Sequence, residues 1–549
     1  MKQHLLLLIT LAAAMVANAD GIDRNEALMK AQRVLPDRHF VADAAAPRAK
    51  APRTNEPYYI FNAADNGGFV IVSADDRATE ILGYALQGNL DEASLPANLR
   101  WWLEGYARQI EALETLEDLE DASAAARRAP ATAIAPMLTA QWNQTAPYNS
   151  WCPDGNYVDY DESGYDATHR CLAGCVATAM AQFMHFWQWP LACEALDSYV
   201  ADGHTIKALP ATTFKWEQMQ ATYAKTAIGP SADAVAELMR YCGQAVEMQY
   251  ATDESTASLT AEDMISTFHY SPNCRLLRRD SYTTSRWTDI IYDELEAGRP
   301  VLYRGKNERV GHLFIVDGCD ANGLFHINWG WSGQYDGFFA LSALSPGTHG
   351  TYQYDQYAFV GLQPIQENEQ LLPAMQCSVS ESSDLYLHSR AETYDLEGSV
   401  VAQYNLEPAS TLKAEIGWAL YQGDTFVQVV SNKAVTIAAQ QQDHFLNNPR
   451  ISFDASLPSG TYLLCQVYRF EGDTEWHLCH PYQAYPYMLV LELADTYFYM
   501  RLFDVVKDAI TAIAAPPAAT STWYNLQGIP LSHPRKGLYI HDHRKILVK

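Results

Sequence analysis

The chain has 549 residues and carries 38 Lys and Arg against 65 Asp and Glu, a formal charge of -27. That acidic excess argues against nucleic-acid binding and against adhesion to an anionic membrane surface, because both need clustered Lys and Arg. With 48% hydrophobic and 19% charged residues the chain is globular rather than disordered, no interior run is apolar enough for a membrane span, and at roughly 100–200 residues per domain the length holds three or four units.

The N-terminus reads as a cleaved export signal: a positive start at Met1-Lys2, a short apolar stretch from Leu5 to Val16, and Ala17-Asn18-Ala19 as the cleavage site. No Cys follows that site, so lipid modification is not indicated. Export would allow the ten cysteines to oxidise, but their spacing is irregular and lacks Cys-x-x-Cys, which argues against a zinc knuckle. Cys465 and Cys479 read equally as a bridge between neighbouring strands or as two buried thiols. Ile22–Val34 has helical spacing. Tyr58–Asn62 and Phe69–Ser73 predict a hairpin around Asp65-Asn66-Gly67-Gly68. Leu99, Trp102, Leu103, Tyr106, Ile110 and Leu113 then line one side of a helix over 98–119. These elements predict a small α/β unit, closed by an Ala-rich, cleavable linker that contains Arg127-Arg128.

Residues 136–364 hold nearly all the residues that look chemical. From 371 the texture turns to short β-rich runs: Thr411–Tyr421, Thr425–Val430, Ala434–Ala438, Gly460–Phe470 and Tyr487–Leu493. Their alternation fits a β-sandwich of immunoglobulin type. Ala514–Ala519 is a second linker, and three short strands around Gly turns close the chain.

The sharpest chemical signal is Leu172–Trp187, a helical run that Pro190 stops. Gly174 opens it and places Cys175 in the first turn. There the unpaired N–H groups and the helix dipole favour a thiolate and can face an oxyanion. Taken alone, Cys175 reads as well as a buried structural cysteine. A thiolate wants an imidazole, and His312 opens the apolar strand Gly311–Asp317. A second strand, Gly323–Trp329, would fold back and bring Asn328 and Trp329 near His312. His326, inside that second strand, reads as a histidine with a satisfied hydrogen bond.

Three ordered motifs, Gly174-Cys-Val-Ala-Thr-Ala-x-Ala-Gln182, Gly311-His-x-Phe-x-Val-Asp-Gly318 and His326-x-Asn-Trp-Gly-Trp-x-Gly-x-x-Asp-Gly-Phe-Phe339, resemble the streptopain family of cysteine peptidases, in the papain-like clan. Ala63–Ser73 and Glu80–Tyr84 resemble that family's inhibitory propeptide. The resemblance implies an α+β chain: a signal peptide over 1–19, a small α/β prodomain over 20–130, a papain-like two-subdomain catalytic domain over 131–364, an immunoglobulin-like β-sandwich over 365–513, and a linker and tail over 514–549. It implies Cys175 as nucleophile, His312 as general base, and a Gln144 side-chain amide at the oxyanion beside the Cys175 N–H. Asn328 and Trp329 would support the imidazole. Because Asn-Trp-Gly-Trp331 stands where papain has Asn-Ser-Trp-Gly, two readings stay open: Asn328 orients His312, or Trp329 and Trp331 shield it. Papain's local signature is absent, since Val176 follows the nucleophile. Asp253 and Glu254, at the expected substrate wall, read as a solvated loop or as a bias toward basic substrate side chains. No metal or organic cofactor is implied. The partners implied are protein or peptide substrates, host proteins among them, the chain's own propeptide as inhibitor, and an activating protease. Tyr524-Asn-Leu-Gln-Gly, Lys536-Gly-Leu-Tyr-Ile and the terminal Lys545–Lys549 resemble the sorting domains of Bacteroidetes type IX export, which implies passage through the periplasm to the surface or medium. The resemblance thus implies a secreted cysteine endopeptidase made as a zymogen. The competing readings are a transglutaminase-like acyl transferase on the same chemistry, and a surface adhesin or haem- or host-protein-binding module built on the sandwich.

Overall fold

The computed structural model describes residues 21–40, 56–91, 95–113, 132–279, 284–306, 311–343 and 356–367, and beyond them mainly the strands of the C-terminal region. The expected export signal, the Arg127-Arg128 linker and the Ala514–Ala519 linker lie outside the described residues. The architecture mixes helices and sheets. Helix α1 spans Arg24–Val34, with the Asp23 carboxylate accepting from the N–H groups of Asn25 and Glu26. The hairpin forms where Asn-Gly asked for it: β1 (Tyr58–Asn62) pairs with β2 (Phe69–Ser73), Tyr58 opposite Ser73. Asp65 and Asn66 take positive φ in the turn, a region that short polar side chains tolerate. β3 (Ile81–Ala85) and helix α2 (Ala97–Ala112) complete this N-terminal unit.

The nine-stranded sheet then continues without a break. With β4 (Arg275–Arg278), β5 (Val301–Lys306), β6 (Gly311–Cys319), β7 (Phe325–Asn328), β8 (Gly337–Phe339) and β9 (Gln356–Val360), its order is β1-β2-β3-β8-β7-β6-β5-β9-β4. β3 docks on β8, with Tyr84 opposite Phe338 and Gly83 opposite Phe339. Both edges are tight: a Cβ at Gly83 would lie 2.6 Å from the Phe339 ring.

Two buried cores meet along β6. Leu313 and Ile315 join the core built around α3 (Cys175–Trp187) and α4 (Pro230–Ala245). Phe314 and Val316 join the other, with Trp287 and Ile291 of α5 (Thr284–Glu296) and with Leu99, Trp102 and Tyr106 of α2. The alternation follows from the two-residue period of a strand, and it leaves β6 apolar on both faces. The N-terminal unit therefore shares one core with the half of the molecule that carries His312.

Among its described residues the C-terminal region holds strands and connecting turns and no helix. A four-stranded sheet lies apart from a larger one that contains Leu412–Gln422, Gly460–Phe470 and Met488–Leu493. The two expected runs at Thr425–Val430 and Ala434–Ala438 are one strand, Thr425–Ile437, paired along its length with Leu412–Gln422. Among its described residues the tail shows four short strands where three were expected, and Arg544–Val548 pairs in parallel with Tyr386–Ser389 of the same sheet. Cys479 is a buried free thiol, so no bridge joins it to Cys465. Among the described residues, no helix is long and apolar enough to cross a membrane.

Candidate active site

Cys175 is the first residue of α3, and Gly174 enters it with φ 87 and ψ 149. A Cβ at that glycine would strain the backbone and lie 2.8 Å from Met248 Cε and 3.1 Å from the Ser255 carbonyl. The loop that presses on it is tied down. Ser255 Oγ donates to the Leu172 carbonyl at 2.7 Å and accepts from Ala251 N–H at 2.9 Å. Helix and loop together hold the thiol at a helix start, half-exposed, where N–H groups lack intrahelical partners. Burial pushes the Cys175 thiol up, a backbone hydrogen bond from Leu313 draws it down, and the Glu254 carboxylate adds to the rise. Asp253 and Glu254 themselves are exposed.

Leu313 follows His312 in β6, so the structure brings the thiol to the strand that carries the imidazole. His312 is 2% exposed. Its Nε2 lies 2.9 Å from the Trp329 carbonyl, which can only accept, so Nε2 carries the proton and Nδ1 the lone pair. Nδ1 makes no hydrogen bond within the described residues. The ring stacks on Trp331 at 4.9 Å, and Trp331 stacks on Trp329 at 5.5 Å. Burial pushes the imidazole down to about 4, against the opposing pull of the Trp329 carbonyl. In this state both groups are neutral near pH 7.

Asn328 stands opposite Ile315 in the β6–β7 ladder and makes its hydrogen bonds elsewhere than on the imidazole. Its Nδ2 donates to the Ala140 carbonyl at 2.8 Å, and its Oδ1 accepts from Gly330 N–H at 3.0 Å and from Gln182 Nε2 at 3.1 Å. The group on His312 Nε2 is thus a main-chain carbonyl, while the indoles cover the ring. Trp329 N–H donates to Asp336 Oδ1 at 2.9 Å. Burial pushes that carboxyl up to about 7, against the hydrogen bond from Trp329. Gln144 is half-buried beside the loop that leads into Cys175, its carbonyl accepting from Ala173 N–H at 3.0 Å. His326 meets the Asp317 carboxylate at 2.6 Å, a satisfied partner of the kind its place in the strand suggested.

Three residues at this site carry no role in the sequence reading. Gln182 closes a quoted motif and is a polar residue in a helix otherwise buried through Ala177, Met180, Ala181 and Met184; that mismatch was a further signal. Asp336 lies within a quoted motif. Trp102, counted only as a helix-face residue, packs edge-on against Trp329 at 5.8 Å and Phe314 at 5.6 Å. Its neighbour Trp101 rests on Gly305, where a Cβ would lie 2.3 Å from the indole. Gly305 is the β5 residue paired with His312.

Known proteins resemble the chain over its N-terminal unit and over the region that carries Cys175 and His312. Residues 142–339 match the model of the Peptidase C10 family, and residues 19–110 match that of the Spi protease inhibitor. The chain is 34% identical over 337 residues to the thiol protease/hemagglutinin PrtT of Porphyromonas gingivalis, but spans only 38% of that protein's length. It is 30% identical over 323 residues to streptopain of Streptococcus pyogenes, covering 56% of this chain and 80% of streptopain. A prointerpain A fragment of Prevotella intermedia superposes with a TM-score of 0.47 at 30% identity, over 58% of this chain and 98% of the fragment. On its match to streptopain, the chain belongs to the Peptidase C10 family of cysteine peptidases, with a Spi-type propeptide ahead of the peptidase region.

Proposed function

We propose that the chain is a secreted cysteine endopeptidase of papain-like fold, made as a zymogen, in which Cys175 and His312 form the catalytic dyad. The observation that carries this reading is a helix-start thiol that takes a backbone hydrogen bond from Leu313, the residue after His312, whose imidazole tautomer is fixed by the Trp329 carbonyl. The Cys175 proton passes to His312 Nδ1 as sulfur bonds to the substrate carbonyl carbon. The oxyanion that forms takes the Cys175 N–H and the Gln144 side-chain amide. Collapse breaks the C–N bond, and the proton on His312 leaves with the amine. Water, deprotonated by His312, then attacks the thioester and frees the thiol and the acid. Trp329 and Trp331 keep bulk water off the imidazole. Asn328 serves through the peptide that follows Trp329 and not by contact with the ring. No step calls for a metal or organic cofactor.

The N-terminal unit is the inhibitor. Its α2 covers Trp329 and Gly305 on the His312 half, and scission in the linker before Ile134 releases it. The export signal and the tail then direct the protein to the cell surface or medium. Replacement of Cys175 by Ala tests the nucleophile. Casein hydrolysis by the processed protein is expected to vanish with the circular dichroism spectrum unchanged, and residual hydrolysis near the parent rate would reject the assignment.

A further inference from the structure

We propose that Gln182, two turns along α3 from Cys175, is the positioning residue that sets nucleophile, oxyanion donor and general base at their mutual distances. The inference rests on the dyad proposed above and extends it. Gln182 is 1% exposed, and every polar contact its amide makes leads to another part of the site. Oε1 accepts from Trp142 N–H at 2.9 Å, in the strap that carries Gln144 two residues later. Nε2 donates to Asn328 Oδ1 at 3.1 Å, and Asn328 Nδ2 faces Gln182 Oε1 at 3.4 Å. The same Asn328 Oδ1 accepts from Gly330 N–H at 3.0 Å. That N–H belongs to the peptide unit whose carbonyl, on Trp329, takes His312 Nε2 at 2.9 Å.

The connection from nucleophile to base is therefore unbroken: α3, the Gln182 amide, the Asn328 amide, the 329–330 peptide, the imidazole. Each member polarises the next, because an N–H drawn toward Asn328 makes the carbonyl of the same peptide a better acceptor. The peptide also rides close to the helix. A Cβ at Gly330 would lie 3.2 Å from Thr178 Cγ2 and 3.7 Å from Gln182 Nε2. An apolar residue in place of Gln182 would leave the buried Trp142 N–H without its acceptor. A buried amide with all its partners made instead fixes one arrangement of the groups it joins.

The test uses the full-length chain, processed by immobilised parent enzyme that is then removed. Gln182→Glu keeps the size and still accepts from Trp142 N–H, but it donates to Asn328 only when its carboxyl is protonated. Its kcat is expected to fall about 100-fold near pH 7.5 with KM changed less than about threefold, the signature of misplaced reacting groups. Activity relative to the parent should recover as pH falls and the introduced carboxyl takes up its proton. Gln182→Met should show the loss without the recovery. Parent-like kcat in both variants, a Gln182→Glu loss equal at every pH, or a Gln182→Glu chain that folds at neither acid nor neutral pH would each overturn the inference. Active Cys175→Ala in the same assay would instead remove the dyad, and the inference with it.

Discussion

The thiol and the imidazole are held neutral by the same cause, burial, acting with opposite sign on an acid and a base. Burial pushes Cys175 up from the usual thiol range and His312 down to about 4, so near pH 7 the intact chain holds no thiolate–imidazolium pair. Under the proposed dyad, such a pair is expected in the processed enzyme, once His312 Nδ1 can take the thiol proton. Alkylation of the intact chain by iodoacetamide should rise toward alkaline pH like a thiol at or above ~8.5. In the processed chain it should show an acid limb for the pair, whose values belong to both groups together. Identical profiles in the two forms would contradict this. His312 also ties stability to pH. Its folded value lies below the ordinary ~6.5, so its contribution is fully present above that value and is lost as pH falls toward about 4. Comparing melting temperatures of Cys175→Ala with and without His312→Gln from pH 7 to 4.5 isolates it. The second chain should lose less stability on acidification, and equal slopes would count against a buried neutral imidazole.

Among the elements, the most consequential contact is that of α2 with the sheet that carries His312. Trp101 reaches Gly305 only because that residue has no side chain. Gly305→Ala in the intact chain is therefore expected to unseat the helix, shorten the half-time of processing severalfold on gels, and permit hydrolysis before scission. Unchanged processing would mean that α2 does not latch the site. The elements themselves were legible in the sequence because each rests on local rules. Asn-Gly wrote the hairpin, apolar spacing wrote α2 and α3, and Gly174 wrote the start of the nucleophile helix. Their meeting places were not. Nothing in Ile81–Ala85 announces that it will add to the edge of Gly337–Phe339. The acceptor on His312 is a carbonyl, which every residue owns, so the motif left open whether the Asn328 amide orients the ring or Trp329 and Trp331 shield it. Gln182 was visible as the last residue of a quoted motif and as a polar residue out of place on an apolar face, and neither told its partners.

For the whole molecule, the two cores that meet at β6 give latency a mechanical basis. The N-terminal unit completes one of them, so its release exposes Trp329, Phe314 and Phe339 to a new environment. The chain entering the peptidase region is held from Ile134 onward: Ile134 exchanges backbone hydrogen bonds with Cys319, Met137 N–H donates to the Asp317 carbonyl at 3.0 Å, and Leu138 N–H to the Asp317 carboxylate at 2.8 Å. A protease needs extended, unpaired backbone, so scission belongs before that point. Full-length Cys175→Ala protein alone should stay intact, and active enzyme in trans should cut it between about Ala122 and Ala133, in the stretch that carries Arg127-Arg128. N-terminal sequencing reads this directly, and fully active enzyme that still begins at residue 20 would remove the zymogen reading. The central claim, a Cys175–His312 endopeptidase kept latent by its N-terminal unit, is tested most directly by titrating intact and processed chains with a thiol-directed peptide epoxide and locating the adduct by mass spectrometry. One adduct per processed molecule is expected, on Cys175, and almost none on the intact chain. Equal labelling of both forms, or adducts spread over other cysteines with Cys175 unmodified, would contradict it.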